Sequence, residues 1–369
     1  MNIYKCSDNY SEEFNQYTDA VSAKYGMSGQ ASDRETMYLA SCGNRAAKKA
    51  CADLFFYQKI DAEKYYTKAF NLYLEASDMK LSEGKLIYGG DGNPQAFAML
   101  AYYLFNYKES GYLTNCETID ELEKISRKGR IKMSLELCVS SLNYADIPLA
   151  INLMGRLFDE CFREDGLYDF LKEDLALIHM PGFISEETGF VDNICSVDDC
   201  KKASDFYYNL AAKGGYVYAC NNLAALESDI IISICEERKS AGETDYDITR
   251  EISEDLAAHI EKYINYLRIA AAKFEPYASN RLGLFYVCGE ISSTKLKKKM
   301  NFRSYCDTSL AKEYFKNATV YPNKNSAWAY YNLMKYYPKD YTSDLDLMNE
   351  HMDCIRRLDP KVYELAMED

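Results

Sequence analysis

Six stretches of the chain carry the same short arrangement of side chains, and this repetition constrains the fold more than any other feature. Each begins with a small residue, has an apolar residue four positions on, a small one at five, and an apolar or aromatic one at seven. Ala219, Leu223, Ala224 and Leu226 fit it; so do Ala96, Leu100, Ala101 and Tyr103. Ala150, Met154, Gly155 and Leu157 repeat it, as do Ala278, Leu282, Gly283 and Phe285. Ala47, Cys51, Ala52 and Leu54 give a weaker copy, and Ala329, Leu333 and Tyr336 a last one with Met334 at the small position. Offsets of four and seven fall on one helical stripe, and small residues between them let a neighbouring backbone approach closely.

The stretch 203–226, ASDFYYNLAAKGGYVYACNNLAAL, shows the unit most fully. Ala203, Phe206/Tyr207 and Leu210/Ala211 line one side of a first helix. Gly214-Gly215 ends it, because glycine takes the positive φ that a helix C-terminus commonly requires. Ala219, Leu223, Leu226 and Ile230 then resume the stripe, so the stretch predicts an αα-hairpin. Other first helices precede their alanines in the same way: Tyr65-Tyr66 with Ala69, Tyr266-Leu267 with Ala270-Ala271, and Tyr314-Phe315 with Ala318. Leu137, Cys138 and Ser141 mark a less typical one ahead of Ala150.

The pattern A-x-x-(Y/F)-Y-x-x-A-A-x-x-G-x-x-x-A-x-x-x-L-(A/G) resembles the Sel-one-like repeat, a branch of the tetratricopeptide superfamily. The resemblance implies an all-α fold: a right-handed α-α superhelix, or solenoid, of about six stacked helix-turn-helix repeats. The expected organisation is a helical cap over 1–34, the repeats over 35–340, and a second helical cap over 341–369. The six alanines lie 49, 54, 69, 59 and 51 residues apart, so the connections carry insertions. These fall near 163–196, with a short helix over 167–178, near 236–253, and near 292–303. The final cap is expected to hold a helix at about 345–358, then Pro360 and a short terminal helix.

Composition narrows the function. Fifty-seven acidic against 43 basic residues leave a net charge of −14, which repels nucleic-acid phosphates and anionic lipid. We therefore expect neither nucleic acid nor membrane as a partner. The first ten residues are polar, and no run of about 18 apolar residues occurs, so neither a signal peptide nor a spanning helix is expected. Thirteen cysteines without a regular pairing point to free thiols in a reducing, cytoplasmic setting. Eighteen glycines and seven prolines are few breakers for 369 residues, which favours helices.

No catalytic, cofactor or metal site is expected. The three histidines, His179, His259 and His351, lie in different repeats, away from any nucleophile and positioned acid. Cys195 and Cys200 form one close pair, whereas zinc sites need two. The loop Gly89-Gly90-Asp91-Gly92-Asn93 lacks the lysine of a phosphate loop, and no strand is expected before it. Glu186-Glu187 and Asp198-Asp199 are ordinary in so acidic a chain.

Two groups remain as candidate partner-binding residues. Lys295, Lys297, Lys298, Lys299 and Arg303 form a basic cluster against the acidic background. Tyr65, Tyr208 and Tyr266 stand for the 34 tyrosines, most of which are expected to pack and some to line a surface. The leading expectation, carried by the resemblance, is a non-enzymatic scaffold that binds a peptide or protein on the concave face of the stack. The alternatives are an enzyme or ligand sensor with its site in 163–196, beside His179, and a structural subunit that self-associates.

Overall fold

The computed structural model describes residues 36, 38–57, 62–90, 92–107, 117–178, 194, 196–342 and 344–368. The expected cap over 1–34 lies outside them. Two compact units divide the chain, residues 1–211 and 212–369.

In the first unit, helices α1 (Arg45–Tyr57) and α2 (Ala62–Ala76) form a hairpin, and α2 packs on α3 (Pro94–Phe105). A short α4 (Glu117–Glu123) leads to α5 (Arg127–Leu142), α6 (Pro148–Arg163) and α7 (Leu167–Leu175), and α8 (Val197–Lys213) closes the unit. Each of α3, α5, α6 and α7 packs on its neighbours in chain order, as hairpin repeats require. In the second unit α9 (Val217–Ser240) packs on α11 (Glu254–Ala271), with a short α10 (Asp245–Arg250) between them in sequence. Helices α12 (Pro276–Cys288), α13 (Thr308–Asn317), α14 (Lys324–Tyr336), α15 (Pro338–Thr342), α16 (Leu345–Leu358) and α17 (Pro360–Glu368) follow.

Second helices start where their sequences dictate. Pro94, Pro148 and Pro276 each occupy the first turn, where a missing N–H costs nothing. Asn93 accepts from the Gln95 and Ala96 amides, and Glu275 from the Ala278 amide. All six marker alanines, Ala47, Ala96, Ala150, Ala219, Ala278 and Ala329, are fully buried. Leu100, Met154, Leu223, Leu282 and Leu333, four residues on, are buried as well. The stripe of α9 differs from the sequence reading, since Ile230 is exposed and Ile231, Ile232 and Cys235 carry the core instead.

Close approach defines these contacts. A Cβ on Gly283 would lie 2.4 Å from the ring of Phe315 on α13, and one on Gly155 would lie 2.7 Å from Tyr208 on α8. Phe315 in turn stacks on Tyr336, at 6.2 Å between centroids and 3° between planes. On α5, Ser134 donates to the Ala101 carbonyl and Ser141 to that of Pro94, so two small hydroxyls bond helix α5 directly to the α3 backbone. Between second helices, Asn332 Nδ2 donates to Asn280 Oδ1 at 2.9 Å and Asn221 Nδ2 to Glu275 Oε2 at 3.0 Å.

Two antiparallel hairpins amend the purely helical expectation. Strands β1 (Met79–Ser82) and β2 (Lys85–Tyr88) pair Met79 with Tyr88, and β3 (Glu290–Ser293) and β4 (Lys298–Asn301) pair Glu290 with Asn301. A strand therefore does precede the 89–93 glycine loop. Gly89 and Gly92 in that loop are closely packed, because a Cβ on Gly89 would strike the Asp78 carboxylate and one on Gly92 the Phe97 ring. A carboxylate at the loop repels phosphate. The 236–253 region is no open insertion: α9 runs on to Ser240, and a Thr244–Asp247 capping box starts α10. The short helix of the 163–196 region and the terminal helices at 345–358 and 360–368 form as expected.

In the second unit, His351 on α16 meets the Tyr330 ring edge-on at 4.7 Å, and its Nδ1 lies 3.0 Å from the Tyr341 hydroxyl. Burial lowers its pKa from 6.5, against a smaller opposing pull from Glu350. Burial also pushes the pKa of Tyr341 up to about 12.

Two measurements test this packing. Gly155→Ala and Gly283→Ala should each destabilise the protein by roughly 1–3 kcal/mol in urea denaturation, since a buried ring must shift; unchanged midpoints in both would refute the close contacts. The folded pKa of His351 lies below its unfolded value of 6.5. Its contribution is thus present in full above pH 6.5 and lost as pH falls through the lower folded value. His351→Asn should flatten that part of the pH-stability curve relative to the unmodified chain.

Candidate functional site

The basic cluster folds into the β3–β4 hairpin, and most of its charge is answered within the second unit. Lys298 pairs with Glu236 of α9, Lys299 with Glu290 at 3.5 Å, and Lys295 with Asp229 at 3.9 Å. Lys298 and Lys239 hold the Glu236 carboxyl below its usual range. Ser293 also donates to Asp229, and Ile291, Met300 and Phe302 are buried beneath the hairpin. Lys297, at the turn with φ 52°, and Arg303 are exposed. Lys295 and Lys298 are thus tied to α9 and Lys299 to the hairpin itself, while Lys297 and Arg303 stay exposed.

The tyrosines also pack. Tyr208 is buried against Gly155, so its ring has no surface to offer a partner. Tyr266 is half-buried against the core of the second unit. The side chain of Tyr65 lies outside the described residues, as do His179 and Cys195. His259 lies 2.6 Å from Glu227. Among the described residues, no group of three or more His, Cys, Asp or Glu side chains could hold a metal ion.

Exposed apolar side chains collect elsewhere, on three interhelical turns of the second unit. The turns span 214–216, 272–275 and 318–323. Tyr218 is 51%, Phe274 40%, Val320 48% and Tyr321 65% exposed. Direct contacts join the turns into one edge. Lys273 Nζ donates to the Gly215 carbonyl at 2.7 Å, Tyr216 meets Tyr218 at 5.5 Å, and Phe274 meets Tyr321 at 5.9 Å between centroids. Lys213, Lys273 and Lys316, all exposed, sit where the first helices end. They complement the negative C-terminal dipoles. The turns contain one acidic residue, Glu275, and it is buried, capping α12. A chain of net charge −14 thus carries a locally basic, aromatic edge.

Phe274 is the most telling residue there. It takes φ 55° just past the end of α11, as Gly215 takes φ 82° just past α8. Glycine suits that left-handed position, whereas a side chain with a Cβ is strained in it. Phe274 accepts the strain and is still two-fifths exposed, so burial of its ring does not explain its presence. Sequence reasoning missed this edge. The available signal was an aromatic at successive turns, Tyr216, Phe274 and Tyr321, where polar residues are usual.

The fold and this edge define a helical-hairpin repeat protein. No family model matches the chain, and no curated protein does. Among solved structures it is similar to c5321, a protective antigen of uropathogenic Escherichia coli strains that displays an SLR fold. The two are 13% identical, with 97% of this chain and 82% of that one covered, at a TM-score of 0.25. At that score the likeness carries no weight, and the fold is defined by the packing of the chain's own hairpins.

The hairpin contacts imply a specific outcome for charge reversal. Lys298→Glu sets a carboxylate against Glu236, so amide exchange at Ile291 and Met300 should quicken while that of α12 stays slow. Unchanged exchange across β3 and β4 would show that the lysine does not anchor the hairpin.

Proposed function

We propose that the protein is a non-enzymatic scaffold or adaptor, and that the turn edge of the second unit docks an acidic polypeptide partner. The observation that carries this reading is the exposed Tyr218, Phe274, Val320 and Tyr321 on joined turns, flanked by Lys213, Lys273 and Lys316. Aromatic residues dominate binding energy at interfaces because they bury much area at little rotamer cost. Exposed lysines add attraction for an acidic chain and raise its association rate. The expected concave-face site on first helices is less well supported, since Tyr208 is buried and Tyr266 half-buried.

The setting we propose is the reducing cytoplasm. Cys138, Cys161, Cys200, Cys220 and Cys235 are buried thiols that form no disulfide, and burial pushes the Cys235 thiol up to about 11. Among the described residues, no helix is long and apolar enough to cross a membrane.

An array of 15-residue peptides graded in charge and aromatic content tests the proposal on the full chain. The best binders should be acidic and contain an apolar residue, and their affinity should fall with salt. Tyr321→Ser or Phe274→Ser should weaken them about tenfold or more, an effect of roughly 1.4 kcal/mol within the range of interface hot spots. Lys297→Glu on the hairpin should leave them unchanged. A preference for basic peptides, or binding indifferent to the edge variants, would overturn the reading; concentration-dependent self-association lost in the same variants would make the partner a second copy.

A further inference from the structure

A cavity of about 460 Å³ opens in the first unit between α3, α4, α5 and α6. Leu104, Phe105, Ile125 and Ile131 give it apolar walls. Two arginines from the first turns of α5, Arg127 and Arg130, also line it.

The two cations differ in how their charge is met. Arg127 is ion-paired with Glu160 of α6 and with Glu164, which caps that helix's C-terminus. Arg130 is 5% exposed and pairs with no carboxylate among the described residues. One of its nitrogens, Nη1, donates to the Ile125 carbonyl at 2.6 Å, and its guanidinium lies over the Tyr107 ring at 4.8 Å. Its Nε and Nη2 have no such partner among the described residues. Helical side chains lean back toward the N-terminus, so this guanidinium sits beside the positive end of α5. The first turn of α5 holds no acidic residue, and Ser126 spends its hydroxyl capping the Gly129 amide. A buried cation beside a helix's positive end, with Arg127 next to it, is an arrangement that calls for an anion.

We propose that this cavity binds a carboxylate with an apolar body, and that Arg130 holds the carboxylate. One uncompensated cation matches one negative charge. Glu123 and Glu160, which also line the cavity, oppose a doubly charged phosphate. The planar guanidinium fork suits a carboxylate bidentately, and the Leu104, Phe105, Ile125 and Ile131 walls suit an alkyl or side-chain body. The volume falls in the range of small-molecule pockets. The site is independent of the turn edge, which lies in the other unit.

Calorimetric titration of the full chain tests it with three probes: hexanoate, an N-acetylated Gly-Leu dipeptide with a free carboxylate alongside its amide, and inorganic phosphate. A saturable carboxylate signal is expected. Hexanoate binding would mark a small organic acid as the source, and binding by the dipeptide acid alone a peptide C-terminus. Arg130→Met should weaken either at least tenfold, and Arg130→Lys less. In the absence of ligand, Arg130→Met should melt no lower than the unmodified chain, because it removes an uncompensated buried charge. No carboxylate binding, tighter binding of phosphate, binding that survives Arg130→Met, or a melting temperature lowered by several degrees in that variant would each overturn the proposal. The last would mean that Arg130 is a structural residue already satisfied within the chain.

Discussion

The structure depends on how closely its helices are allowed to approach. A second helix reaches its neighbours only if the residue at the crossing is small. Gly283 against Phe315 and Gly155 against Tyr208 leave no room for a methyl group. The rings that fill these gaps are the aromatic residues of first helices, so the two halves of the pattern are one device: a small residue on one helix and a flat ring on the next. Serines extend it where rings are missing. Ser134 and Ser141 put α5 close enough to α3 to bond its backbone directly. Much of the tyrosine content is thereby used up in packing, and an exposed aromatic becomes informative.

That use of tyrosine explains which parts of the molecule were legible in the sequence. Six alanines located the second helices, and all six are buried to completion. Helix starts at Pro94, Pro148 and Pro276 follow from fixed φ and capping chemistry, both local properties. The β3–β4 hairpin was not legible. Each strand is four residues long and buries few side chains, Ile291 and Met300 chief among them, so no alternation rises above the run of lysines. Its lysines read as a free basic patch because their partners, Asp229 and Glu236, lie more than sixty residues away in sequence. Ile230 was misplaced for a related reason: α9 keeps its core on Ile231, Ile232 and Cys235, and a single-residue shift moves a side chain by about 100° around the helix.

The candidate sites were missed for a common physical cause. A repeat pattern reports which residues are buried, and the proposed sites rest on residues that break the expectation for their position. Phe274 stands where glycine would relieve strain, and Tyr321 stands on a turn where a polar residue would be solvated. Arg130 breaks it in the other direction, being a charge on a helix face that is buried. Each departure carries a cost that the contacts around it, Phe274 on Tyr321 and Arg130 on the Ile125 carbonyl and the Tyr107 ring, offset only in part.

This contrast separates the two proposed sites by the kind of ligand each would favour. On the turn edge the charges are exposed lysines around protruding rings, a surface that gives up little solvation until a partner covers it. Such a surface suits a chain-like partner that brings its own apolar groups. Around Arg130 the cation is largely buried, and most of its desolvation was incurred when the chain folded. A ligand arriving there finds a guanidinium already oriented by the Ile125 carbonyl and the Tyr107 ring, so it spends less of its binding energy on ordering the site. A preorganised charge at a cavity favours a small ligand of the opposite sign, and an open edge favours a polypeptide. Loss of either variant's binding should therefore leave the other intact, as expected for sites that share a chain but no residue.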